Sequence, residues 1–192
     1  MTWMLVGLVL FLGGHSVRIF ADGWRTRGIA VLGEGAWKAL YSLIALAGLV
    51  LISHGYGLAR MEPVDLWTPP VWARHLAGPL TLLSFVLLVA AYVPRNRIRM
   101  RIGHPMLAGV KAWAVAHLLA NGRLADLVLF GAVLVWAALA FRAARRRDRL
   151  AGVIRARGSL AADALVVVLG VGAWAAFAFW LHTLLIGVYP FG

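Results

Sequence analysis

The chain has 192 residues, 62% of them hydrophobic and 14% charged, with a mean hydropathy of +0.85 and a net charge of +12. No soluble core of this length needs so much apolar surface, so a water-soluble domain is excluded. The arginines lie beside apolar runs, where anionic headgroups and topology account for them more simply than nucleic acid does, and the absence of cysteine excludes disulfides, thiolate-bound metals and thiol redox chemistry.

Six apolar runs follow one another, at residues 2–20, 36–58, 71–93, 104–120, 124–141 and 160–189. A helix needs about 20 predominantly apolar residues to cross ~30 Å of hydrocarbon at ~1.5 Å per residue. The first run has no basic segment before it and no small-residue cleavage site after it, so it reads as a retained helix and not a signal peptide. The fourth is short and carries Lys111 and His117. Those groups are costly against lipid, so it reads as an interior helix. It also carries Ala108, Ala112, Ala116 and Ala120 at every fourth position, a stripe on which a neighbouring helix can pack closely. Gly172 and Ala176 offer a shorter stripe in the last run. Trp67, Trp72, Tyr92, Trp180 and Tyr189 fall near run ends, where amphipathic rings favour the interface. Pro105 suits a first helical turn.

The charges orient these runs. Fifteen basic residues occupy the first, third and fifth connections, from Arg18 to Lys38, Arg95 to Arg101 and Arg142 to Arg157. The other connections hold three, Arg60, Arg74 and Arg123. The positive-inside rule places the odd connections in the cytoplasm. The expected architecture is an all-α polytopic bundle of six transmembrane helices, both termini outside, forming a single integral-membrane domain over residues 1–192. Its expected place is the bacterial inner membrane. The asymmetry holds only if the fourth run is a real crossing. The longest connections, residues 21–35 and 142–159, are too short for a second domain.

The candidate chemistry lies in six histidines. His75 follows Arg74 at a helix start and reads as interfacial; His182 falls near the outer end of the last span; His54 closes the second; His104 precedes Pro105 as a cap. His15 and His117 lie deeper and keep polar company, Ser16 and Arg18 for the one, Asn121 for the other. Ionisable groups at that depth face a bundle interior and are functional candidates. Without cysteine, and with no buried carboxylate expected in the spans, zinc is poorly supplied. Neutral imidazoles from two facing helices commonly hold haem iron. Arg18, Lys111, Trp113 and Asn121 could serve the edges of such a disc. At ~1.5 Å per residue, His15 lies ~20 Å inward from one face and His117 ~20 Å outward from the other. In a ~30 Å core they differ in depth by ~10 Å, which makes His54 the alternate ligand.

Gly13-Gly14-His15-Ser16-Val17-Arg18, Gly103-His104-Pro105-Met106 and Trp113-Ala114-Val115-Ala116-His117-Leu118-Leu119-Ala120-Asn121-Gly122 resemble the NnrU family. Tyr92-Val93-Pro94-Arg95-Asn96 and the arginines from Arg142 to Arg147 extend the likeness. The resemblance implies a membrane protein associated with nitrite and nitric oxide reduction (denitrification), and with that machinery as a partner beside haem and membrane lipids. The pattern is also similar to 15-cis-zeta-carotene isomerase, whose proposed haem b ligands fall on His15 and His117. That likeness implies haem b between the first and fourth spans and redox-gated isomerase-type chemistry. The relative has a cysteine three residues before its second histidine. Ala114 stands there here, so a plain bis-histidine iron is implied. Two other classes compete. One is a non-haem accessory or assembly protein of a respiratory complex. The other is a small membrane methyltransferase, for which Gly103 stands where an arginine belongs.

Overall fold

The computed structural model describes residues 1–190, and these are all-α apart from two isolated bridges. The helices are α1 Thr2–Phe20, α2 Asp22–Met61, α3 Val71–Tyr92, α4 Arg97–Ile102, α5 Pro105–Ala120, α6 Leu124–Leu150, α7 Leu160–Ala176 and α8 His182–Ile186. A single π-turn, Phe177–Leu181, joins α7 to α8. Five helices are long and apolar enough to cross a membrane, counting α7 through α8 as one. α5 is the short apolar helix, with 16 residues. Large apolar side chains stand outward in mid-helix, among them Val9, Leu43, Val135 and Val168. A water-soluble surface does not carry them in such number, whereas a lipid-facing one does. The chain is thus a membrane-embedded helical protein. Trp67, Trp72, Tyr92, Trp180 and Tyr189 are all exposed, as interfacial rings should be.

Two connections are more helical than expected. Residues 22–32 form a helical arm, set off from residues 34–61 by a break at Gly33, where φ is 80° and ψ 159°. Residues 142–150 continue α6.

Helix packing runs in one order. α1 pairs with α2 and also packs on α6; α6 packs on α5; α5 on α3; and α3 on α7. α1 and α5 flank α6 without packing on each other. The α1–α2 pair is close because both surfaces lack side chains at the crossing. A Cβ on Gly55 would lie 2.2 Å from the backbone N of Met4, and one on Gly7 2.6 Å from that of Ile52. Gly109 of α5 meets Ser84 and Leu87 of α3 in the same way, and Ala116 of the alanine stripe is fully buried. In α7 the close contact is made by Gly170 against Val86, while Gly172 faces open space. The expected Gly172–Ala176 stripe is therefore not the packing surface: the face of α7 that meets α3 is set two residues earlier.

The connections knit together at each end. At one end Ser159 N–H donates to Arg95 O (2.9 Å), Arg97 N–H donates to Asp163 Oδ1 (2.7 Å), and Arg147 reaches the carbonyl of Arg18 (3.2 Å). Asn96 is buried there. Its side chain accepts from Arg99 N–H (2.6 Å) and donates to the carbonyls of Ala90 and Val93. At the other end Leu66 N–H donates to Gly122 O (2.8 Å), Leu124 N–H donates to Val64 O (2.9 Å), and Arg123 pairs with Asp65 (3.3 Å). α5 runs from the arginine-rich end to this one, so the third and fifth connections share an end of the bundle.

Candidate functional site

His117 stands on the last turn of α5, between two rings. The Trp113 and Phe130 centroids lie 4.7 and 4.5 Å from its own. Its Nδ1 is 2.8 Å from the carbonyl of Trp113, one turn back. A carbonyl can only accept, so Nδ1 carries the proton and Nε2 keeps its lone pair when the ring is neutral. That is the posture of a metal-ligating imidazole. Asn121 fixes the helix end, its backbone and side-chain N–H groups both donating to His117 O (3.0 and 2.9 Å). The ring faces a cavity of about 230 Å³ between α3, α5 and the α7–α8 segment. Arg74, Asn121, Trp174, Phe177 and His182 contribute to its wall. Trp174 is held by its Nε1–H donating to Thr81 Oγ1 (3.0 Å).

His182, read from the sequence as lying near the outer end of the last span, also lines the His117 cavity. It is half-buried, with Nδ1 2.7 Å from the carbonyl of Val188, so it too keeps Nε2 free. The π-turn just before it sets its angle. Such turns gather at functional sites, but nothing in the residue pattern announces one.

His15 lies elsewhere. Its Nδ1 is 2.6 Å from Phe11 O, and its ring is bounded by Phe11, Tyr41 and Trp136. The buried Nε1–H of Trp136 has no partner. His15 and His117 thus touch α6 at Trp136 and Phe130. Those positions are six residues apart, ~9 Å along the axis and on faces ~120° apart. Two axial imidazoles across one metal hold their nitrogens only ~4 Å apart, from two ~2 Å bonds. His15 is not among the residues that line the His117 cavity.

The remaining candidates divide. Trp113 and Asn121 belong to the His117 cavity. Lys111 lies over the ring of Phe141, its Nζ 4.0 Å from the centroid. Arg18 is exposed near Arg147, and His54 is exposed on α2. His75 is exposed, as an interfacial residue should be. His104 occupies the cap position of α5, but its side chain makes no cap hydrogen bond. It bonds Asp148 instead, Nε2 to Oδ2 at 2.8 Å, and Arg155 donates to the same oxygen. Partial burial works against ionisation of Asp148, but the adjoining His104 and Arg155 outweigh it and hold the carboxyl below its usual value.

One expectation fails outright. The spans were to hold no buried carboxylate, yet Asp126 in the first turn of α6 is 3% exposed. Its Oδ1 accepts the hydroxyl of Tyr56 from α2. Even so, among the described residues no three His, Asp or Glu side chains gather to hold a metal ion.

A model of the NnrU protein family matches residues 3–190. The chain belongs to the NnrU family. The match takes in both ends of the bundle and every histidine, so the His117 cavity of this NnrU protein lies wholly within it. Among curated proteins and solved structures, nothing matches the chain.

Proposed function

We propose that this NnrU-family membrane protein binds one haem b through His117 and serves nitrogen-oxide metabolism. The observation that carries the reading is the imidazole itself: held through Nδ1 by its own helix, walled by aromatic rings, and lining a cavity with a second histidine of the same posture. Ring walls suit a flat apolar macrocycle, and Arg74 and Asn121 suit its carboxylates. When bound, haem would supply one-electron chemistry and a position for a small ligand such as nitric oxide. The protein's own part is to fix the donor nitrogen and keep water from the ring. The cavity is below the ~300–1,000 Å³ of sites that enclose drug-sized ligands. A macrocycle therefore needs the wall formed by Val188, Tyr189 and Pro190 to move, which would also release His182 Nδ1 from Val188 O. The nitrogen-oxide role and the isomerase-type alternative rest on family resemblance.

The test is an optical spectrum of protein purified from haem-sufficient cells, oxidised and reduced, for the parent and three variants. His117→Ala should lose the haem. His182→Ala should keep it but change its spin state, and His15→Ala should leave both unchanged. Were His15→Ala to change the spin state and His182→Ala not, the iron would lie between α1 and α5 and the cavity would not be its site. Protein that stays colourless after expression and reconstitution with haem would end the cofactor reading.

A further inference from the structure

The arm of residues 22–32 is the part of the fold that the candidate site leaves unexplained. At ~100° per residue, Trp24, Val31 and Leu32 fall within one ~100° arc of it. Arg25 and Arg27 border that arc on either side, and Asp22, Thr26 and Ala30 occupy the opposite one. Trp37 covers the middle of the arc at Gly28, but the arc's large side chains stand outward: Val31 is 82% exposed, and Trp24 and Leu32 are at least half exposed. The arm meets the start of its own continuation, where Trp24 and Trp37 make an edge contact at 5.4 Å and Gly28 abuts the Trp37 ring. The arm cannot be the beginning of a straight span, because Gly33 holds a backbone conformation (φ 80°, ψ 159°) open essentially to glycine alone. α1 ends only one residue before the arm, at the end of the bundle where Arg147 reaches Arg18.

We propose that residues 22–32 lie in the plane of the membrane as an interfacial anchor, with Trp24, Val31 and Leu32 in the acyl boundary and Arg25 and Arg27 on anionic lipid headgroups. Charge decides the occupant. A stripe of large apolar groups bordered by two guanidiniums matches a surface that is apolar below and negative above. Each arginine adds roughly 1 kcal/mol of attraction there. The bend at Gly33 makes the in-plane course compatible with a transmembrane course for residues 34–61.

The chain has no cysteine, so single cysteines can be labelled cleanly. Val31→Cys and Thr26→Cys, each carrying a nitroxide, are compared in the full-length protein in vesicles of phosphatidylcholine with and without phosphatidylglycerol. In anionic vesicles the ratio of collisions with oxygen to collisions with a water-soluble nickel chelate should be several-fold higher at Val31 than at Thr26. Removing phosphatidylglycerol, or adding Arg25→Gln with Arg27→Gln, should narrow that difference. Equal access of the nickel chelate to both labels in anionic vesicles would overturn the proposal. So would spin–spin broadening at Val31, which would mean that a second copy covers the arc.

Discussion

Asn96 shows how much one side chain can hold in this fold. From a buried position it caps α4 and ties down two carbonyls at the end of α3. Asn96→Ala leaves those groups unsatisfied, and a lost cap plus buried unpaired carbonyls costs ~2 kcal/mol or more. A clear drop in the thermal midpoint of detergent-purified protein should result, with no change at the His117 cavity. Asp148 behaves differently because it is charged. Its carboxyl titrates lower in the fold than in the unfolded chain, so its stabilisation is complete above the ordinary value of 3.8 and fades as pH falls through the lower folded value. Asp148→Asn should therefore cost at most ~1 kcal/mol at neutral pH. The gap in midpoint between parent and variant should close in acid, below pH 3.8. A gap that persists there would assign the loss to packing.

At the level of elements, the apolar runs were legible because each crossing helix must be apolar for its whole length, and that leaves a plain trace in composition. The faces were less legible. Small residues mark every close crossing, but α7 carries Gly170 and Gly172, and only the placement of α3 selects the first. The grouping of Trp113, His117 and Asn121 was legible because all three follow one another at single-turn spacing along α5 and its C-cap. His182 was not, because its burial depends on the π-turn and on Val188 folding back to it. Asp126 escaped notice since its partner, Tyr56, is 70 residues away in sequence. The α1–α2 pair gives a sharp test of the packing account. Gly55→Leu forces a side chain into the backbone of Met4 and should destabilise by ~3 kcal/mol. Gly57→Leu, one turn-half away in open space, should be neutral by the same thermal measurement.

For the whole molecule, the arginine distribution and the end-to-end hydrogen bonds agree on which connections share a side. The third and fifth are bonded to each other, as the charge asymmetry required. Reporter tags near Arg147 should therefore read cytoplasmic, and tags within residues 62–68 should read outside, because exporting so many arginines opposes the positive-inside bias. Tags on the same side would mean that α5 does not cross.

α6 is the helix that joins two otherwise separate halves. α1 and α2 pack on it from one direction and α5 from the other, while α3 and α7 attach through α5. Beyond it, the halves are joined by the α2–α3 connection and by Arg60, which donates to Ile186 O at 2.8 Å. For biogenesis this sets an order. The first two helices enter the bilayer with only each other as partners, and the glycine-lined crossing must hold them together while the chain through residue 123 is made. The next pair, α3 and α5, waits beside them as a second unit, joined to the first only through residues 62–70. Assembly becomes a single body when α6 is released from the ribosome into the gap between them, so a nascent chain stopped before Leu124 should be two mobile hairpins that a membrane protease can tell from the finished protein.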